Sequence, residues 1–423
     1  MNKKTVLLGT GLILSAILTA CPGPKSEPVV DDGKTLTGEP GKSSEMLDNL
    51  AALAASSGRI AQAGGDKVAG IARDSAAPVT AIPMTAMAKA FTALAAAGSN
   101  PGSSAQLAAK ATQEFVSTPF PKGVFECTTQ NQCTKTASSE DFKITWKIAN
   151  GKTAVGEMDY SGSVKILVSK STPPTAVNPG APVEPTTRIN YIVVPEQIVG
   201  TLSVDGTLVA TLNFKGVTQA ADAAGLSAGF SGIELSGKLL ELDGSKTILE
   251  IPNLTYSIDA SGIKSKGEIR YNNNSDSIVS KWDVTLGGEV DAAAAAQAAA
   301  SNYYFNSSLG LMPVGFTPKG AGSVYFSNEV NGGRFATSFK ISGWKYRSIN
   351  GVQTPKSVDV TDGKLLVKGQ LATFSGNFGQ DLNGNCVPGE DLNMVFSDGD
   401  KTLEQFLISS GYFKTGNCPI PTN

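Results

Sequence analysis

Five oxygen-bearing side chains crowd one short loop. In GQDLNGNCVPGEDL, residues 379 to 392, Asp381, Asn383 and Asn385 sit at alternate positions, and Glu390 and Asp391 follow. Carboxylate and amide oxygens arranged this way can converge on a hard cation, which is the chemistry calcium asks of a loop. The same residue types also build a tight turn, with Asn and Gly shaping the backbone and Cys386 pinning it through a disulfide. Chemistry of another kind is excluded by composition: the 423-residue chain contains no histidine. Serine–histidine and cysteine–histidine catalysis and His-ligated zinc all fall away with it. No Gly-rich phosphate loop opens a helix, and there is no G-x-S-x-G elbow. Carboxylate pairs and Ser–Lys arrangements stay chemically open, but no motif supplies one. The expectation is a protein that is not an enzyme.

Over about twelve residues the loop resembles the D-x-[DN]-x-[DN] class of calcium loops. The resemblance makes Asp381, Asn383, Asn385 and Asp391 the candidate ligands, with Cys386 at the usual glycine position and Leu392 where a bidentate acid normally stands. It implies calcium as the one cofactor to consider, bound weakly, with Kd on the order of 10⁻⁴ to 10⁻³ M, to stiffen the loop.

The five cysteines divide by position. Cys21 follows Lys3, Lys4 and the uncharged apolar run from Val6 to Leu18, which is shorter than a membrane span. A basic start, a brief apolar core and small residues make a secretory signal over residues 1 to 20. Leu18-Thr19-Ala20-Cys21 resembles the lipobox of bacterial lipoproteins. That resemblance implies a diacylglyceryl group on the Cys21 sulfur, cleavage just before it, and acylation (palmitate-type) of the new amino terminus. Two or three acyl chains give a stable membrane anchor, since each buried CH₂ contributes about 0.8 kcal/mol. Cys127, Cys133, Cys386 and Cys418 remain, and an even count in an exported chain reads as two disulfides. Three pairings are possible; Cys127–Cys133 with Cys386–Cys418 is the one that keeps both local.

These residues need elements to position them. Residues 21 to 43, rich in Pro, Gly, Ser and charge, read as a flexible tether with an r.m.s. reach of roughly 25 Å. Residues 44 to 118 read as a helical segment. Met84, Met87, Phe91 and Leu94 share one helical face, Met46 to Ala55 suggests another helix, and Ser103 or Ser104 can cap a third reaching Phe115. This layer either covers part of a sheet or serves as a mobile lid over it.

From about residue 119 the period becomes two. FKITWKIA sets Phe142, Ile144, Trp146 and Ile148 on one side, and GTLVATLNF does the same with Leu208, Ala210, Leu212 and Phe214. RINYIVV and SKWDVTL repeat the pattern, the mark of antiparallel strands with one face buried. Asp205-Gly206, Asp243-Gly244 and Asp362-Gly363 sit where hairpin turns are expected. The Pro-rich residues 171 to 187 read as a loop, and Asp291 to Ala300 as a short Ala helix. The β regions are accordingly placed at 119 to 290 and 291 to 423, the second sharing the sheet of the first or forming its own. The expected fold is mainly β: a large antiparallel meander, as a curved sheet, half-barrel or sandwich, with a small N-terminal Ala-rich helical layer.

The formal net charge is −2, and the two lysines leave with the signal segment, so no basic surface points to nucleic acid. The plan is loosely similar to carriers of the LolA, LolB and LppX type, in which a curved sheet and covering helices enclose lipid. Small residues on the strand faces, such as Ala210 and Gly237, leave room for a ligand or for close sheet packing. The expectation is an exported, lipid-anchored protein of the bacterial cell envelope that binds or carries a hydrophobic ligand. The alternative is a structural or adhesive envelope protein in a surface assembly. Its partners are then the membrane, through the anchor, and lipid or other envelope components.

Overall fold

A computed structural model describes residues 35–74, 113–117, 120–129, 132–148, 151–171, 188–218, 230–259, 262–273, 276–290, 305–306, 312–313, 316–349, 352–379, 383–385, 387–411 and 415–416. The signal segment, Cys21, Asp381, Cys386, Cys418, the Met84–Leu94 stripe and the Ala run from 291 to 300 lie outside these residues.

The elements run in chain order as β1 (Glu39–Pro40), α1 (Ser43–Asp74), β2 (Gln113–Ser117), β3 (Gly123–Thr129), β4 (Gln132–Ala137), β5 (Phe142–Lys147), β6 (Thr153–Ser161), β7 (Val164–Ser171) and β8 (Arg188–Val194). They continue as β9 (Gln197–Val204), β10 (Thr207–Thr218), β11 (Phe230–Leu240), β12 (Thr247–Asp259), β13 (Gly262–Asn273), β14 (Asp276–Val290), β15 (Phe305–Asn306) and β16 (Met312–Pro313). The last are β17 (Phe316–Val330), β18 (Gly333–Ile349), β19 (Val352–Val367), β20 (Gln370–Gly379), β21 (Leu392–Phe396), β22 (Gly399–Thr402) and α2 (Leu403–Ser409).

Seventeen of the strands form one curved, mostly antiparallel sheet. Strands β9 to β14 pair each with the next, β14 pairs with β17, and β17 to β22 continue the meander. On the other side β9 pairs with β6, β6 with β5, and β5 runs parallel to β3, which holds β4. Because β14 and β17 pair from Ile278↔Val330 to Val290↔Phe316, the chain on both sides of residue 291 belongs to the same sheet. A second sheet joins β2, β8 and β7.

Three meander turns place both central residues at positive φ: Asp205-Gly206, Asn331-Gly332 and Lys368-Gly369. This is the mirror-image turn whose twist matches that of paired strands. Asn331 also accepts the Ser277 N–H through its side chain at 2.8 Å, tying the turn to the β13–β14 connection. Asp243-Gly244 lies in the longer β11–β12 loop, where Asp243 accepts from Ser245 N–H at 2.9 Å. Asp362-Gly363 is not a turn. It is a bulge inside β19, where the register with β18 and β20 shifts. Asp362 sits at φ +52°, and a Cβ on Gly363 would lie 2.3 Å from the Phe374 ring, so the bulge needs glycine there.

Alternation governs burial. In β5 Phe142, Ile144 and Trp146 are buried, with Lys143 exposed and Thr145 half-buried between them and Lys147 exposed after them. In β10 the register shifts between Leu208 and Ala210, and the phase changes with it. Val209 turns inward, at 0 % exposure, and Leu208 outward, at 41 %, the reverse of what alternation through Leu208 predicts.

The helix α1 lies on the inner face of the sheet. Its apolar residues Met46, Leu50, Leu53, Ile60 and Val68 follow helical spacing and pack with Ile248, Tyr271, Phe326, Phe335 and Leu365 from β12 to β19, and with Met394 and Phe396 of β21. It is far longer than the Met46–Ala55 stretch its sequence suggests, at about 48 Å. Its start is held in trans: the Asp398 carboxylate accepts from Ser43 N–H at 2.9 Å and from Ser43 Oγ at 2.8 Å. A negative group at a helix N-terminus satisfies donors that have no partner within the helix.

The tether reading to residue 43 is corrected by residues 35 to 43. Leu36 is 1 % exposed and packs on Ala336 and Leu366. Those two residues alternate with the inward-facing Phe335, Leu365 and Val367, so Leu36 lies on the opposite, outer face. β1 then pairs in parallel with the start of β20, and α1 begins on the inner face. A polar, Pro-containing average conceals one apolar anchor residue and one short strand.

Candidate functional site

A partly open apolar cavity of about 220 Å³ lies between the C-terminal half of α1 and strands β12, β13 and β14. The strands build its floor through their register. Leu249 is opposite Tyr271 and Tyr271 opposite Ile278, with Ile269 opposite Ser280 one step along. Ala61 and Val68 of the helix, seven residues apart and hence on one helical face, form the roof.

One polar group in the cavity wall stands apart. Tyr271 is 8 % exposed, and its hydroxyl has no hydrogen-bond partner among the described residues. Leaving a buried hydroxyl unpaired costs roughly 1–3 kcal/mol relative to satisfying it. Burial pushes the phenol above its ordinary pKa; Lys67 pulls against that, and Asp276 adds to the rise. Ser280 is engaged, donating to Asn328 Oδ1 at 3.5 Å. At the rim Lys67 Nζ contacts Glu241 Oε1 at 2.6 Å and Asn273 Oδ1 at 3.3 Å, closing one side between the helix, the β11–β12 loop and β13. The cavity can hold an apolar body and offers it one hydroxyl that is unpartnered among the described residues.

Of the loop residues with candidate metal ligands, Asn383 and Asn385 are placed together and used as turn formers. Asn383 Oδ1 accepts from Asn385 N–H at 3.0 Å, and Asn385 Oδ1 accepts from Val387 N–H at 2.9 Å. Both side-chain amides donate to Glu404 Oε1 of α2, the Asn383 one at 2.9 Å. Glu390 Oε1 accepts from Asn383 N–H at 3.0 Å. These are consecutive Asx turns, in which side-chain oxygens do the work of backbone acceptors. Asp391 lies in the turn before β21. There its carbonyl accepts from Asn377 N–H at 3.0 Å, and the residue borders a polar cleft with Glu390, Lys345, Lys356 and Tyr346. Among the described residues no group of three or more Cys, Asp or Glu side chains is disposed to hold a metal. Asp381 lies outside them.

Cys127 and Cys133 form a disulfide across the β3–β4 hairpin, at directly paired positions. The other expected pair, Cys386–Cys418, falls outside the described residues, as does Cys21. Among the described residues no helix is long and apolar enough to cross a membrane.

Sequence reading did not single out Tyr271. Its signal was present in GEIRYNN, where Ile269 and Tyr271 alternate with Arg270 and so share the inward face. The roof, however, comes from residues some 200 positions earlier, and no local pattern joins the two. No family model, curated protein or solved structure matches the chain.

Proposed function

We propose that this protein is an exported, lipid-anchored component of a bacterial cell envelope that binds a hydrophobic ligand without chemical turnover. The observation that carries the reading is the partly open apolar cavity between α1 and the inner sheet face, with the buried Tyr271 hydroxyl, unpartnered among the described residues, in its wall. Apolar cavities with few polar groups are the usual form of small-ligand sites, the apolar lining giving affinity and the polar group orientation. The lipobox-like LTAC at Leu18 to Cys21 supports export and anchoring, and the absence of histidine supports a binding role. Placed on a tether, such a body holds its ligand close to the membrane.

Native mass spectrometry tests this on the full chain carrying Cys21→Ser, exported without acylation. The expected result is excess mass that organic extraction removes. A clean apo mass that stays unchanged after incubation with envelope lipids sinks the reading. A structural or adhesive role then leads, favoured by an outer face that carries ion pairs such as the exposed Lys215–Glu234 at 3.7 Å and the half-buried Lys281–Glu268 at 3.7 Å.

A further inference from the structure

The cavity's chemistry narrows the class of ligand, an inference that rests on the binding reading above. Three features of the site bear on it. The cavity, at about 220 Å³, lies below the roughly 300–1,000 Å³ of sites for drug-sized molecules, which suits one unbranched chain. Tyr271 is buried, and burial and Asp276 both favour its protonated form, so its hydroxyl is a donor in search of an acceptor. The cation at the rim, Lys67, is already neutralised by Glu241 at 2.6 Å and held by Asn273 at 3.3 Å. An anionic head group brought to this rim would meet Glu241 and Asp276 before any uncommitted positive charge. A neutral acceptor meets no such opposition.

We infer that the cavity takes a single neutral acyl chain bearing a carbonyl, an ester in the simplest case, and that the Tyr271 hydroxyl donates its hydrogen bond to that carbonyl oxygen. Tyr271 is thus the specificity-determining residue: it separates acyl esters from plain hydrocarbons, which the aliphatic wall accepts equally well. The carbonyl gives the buried hydroxyl the partner it lacks, and the chain fills the space between Val68 and Leu249.

Isothermal titration calorimetry of the full Cys21→Ser chain tests this with three probes of similar length: methyl hexanoate, the hexanoate anion and n-octane. The expected result is that the ester binds about tenfold tighter than the alkane, the yield of one hydrogen bond to a buried donor. The anion is expected to bind more weakly than the ester. In Tyr271→Phe the alkane affinity is expected to persist while the ester loses its advantage. Equal affinity for ester and alkane in the parent chain overturns the role of Tyr271 and leaves the cavity reading standing. An anion that binds tighter than the ester overturns the neutral-ligand assignment. Binding by none of the probes removes the cavity reading itself. The parent-chain comparison decides the matter even if the Tyr271→Phe chain does not fold.

Discussion

The docking of α1 on the sheet can be measured through Ile60→Ala. Ile60 is 5 % exposed, sits midway along the helix, and belongs to the cluster that joins α1 to β12–β21. The substitution removes three carbons, about 2.4 kcal/mol of transfer free energy at about 0.8 per methylene. A residual cavity adds up to about 2 kcal/mol where the neighbours cannot close in, at roughly 24 cal/mol per Å³. Alanine's better helix propensity returns a few tenths of a kcal/mol. The net expectation is a loss of about 2–4 kcal/mol. Urea denaturation of the Cys21→Ser chain, followed by tryptophan fluorescence, reads it, because Trp282 packs against the same cluster. The midpoint should fall with the slope unchanged. A loss below about 1 kcal/mol at constant slope would refute the reasoning, since α1 would not then be packed against the sheet. A normal loss confined to a separate, early transition would show that the helix leaves before the sheet unfolds.

Further measurements bear on other parts of the molecule. In β10, Val209→Ala should cost about 1.5–3 kcal/mol and Leu208→Ala under about 1 kcal/mol in the same urea assay; the opposite ranking would place the bulge wrongly. Asp398 is held below its ordinary pKa by its hydrogen bonds from Ser43, backbone first and side chain second. Its folded value lies under the unfolded one, so the stability it gives α1 is complete above about pH 4 and is lost as pH falls through the folded value. Asp398→Asn should flatten the melting temperature against pH in that acid range. Reducing Cys127–Cys133, which spans six residues, should lower stability by about 2 kcal/mol in the chain-entropy model, with amide exchange rising first in β3 and β4. Millimolar calcium should leave the melting temperature unchanged, because the Asn383 and Asn385 side-chain oxygens already accept backbone N–H groups.

What the sequence revealed follows the range over which each signal acts. Alternation in FKITWK reports burial on one strand, and the structure buries Phe142, Ile144 and Trp146 together. At GTLVATLNF the same rule fails at its first residue, because one bulge changes the phase and no residue type there announces it. Asp-Gly is a good turn signal at Asp205-Gly206, yet at Asp362-Gly363 the same positive φ serves a bulge, and only the long-range pairing of β18 with β19 distinguishes the two. Asn331-Gly332 carries an equally strong turn signal, and both residues sit at positive φ. The site was less accessible than the fold. Its floor obeys alternation, but its roof and rim depend on Lys67 reaching Glu241 and Asn273 across the tertiary structure.

The passage of the chain from one face of the sheet to the other sets a load path. A pull arriving from the N-terminal side meets Leu36, seated on Ala336 and Leu366, before it reaches any part of α1. It then meets β1, whose bonds Glu39 N–H to Gly369 O at 3.1 Å and Gly41 N–H to Leu371 O at 3.0 Å share a force directed along the strand. Only behind these, and behind the Ser43–Asp398 contacts, does the helix that roofs the cavity begin. If the proposed anchor at Cys21 holds the protein, tension arriving at Leu36 is borne by the sheet before it reaches α1, and the cavity is mechanically insulated from it.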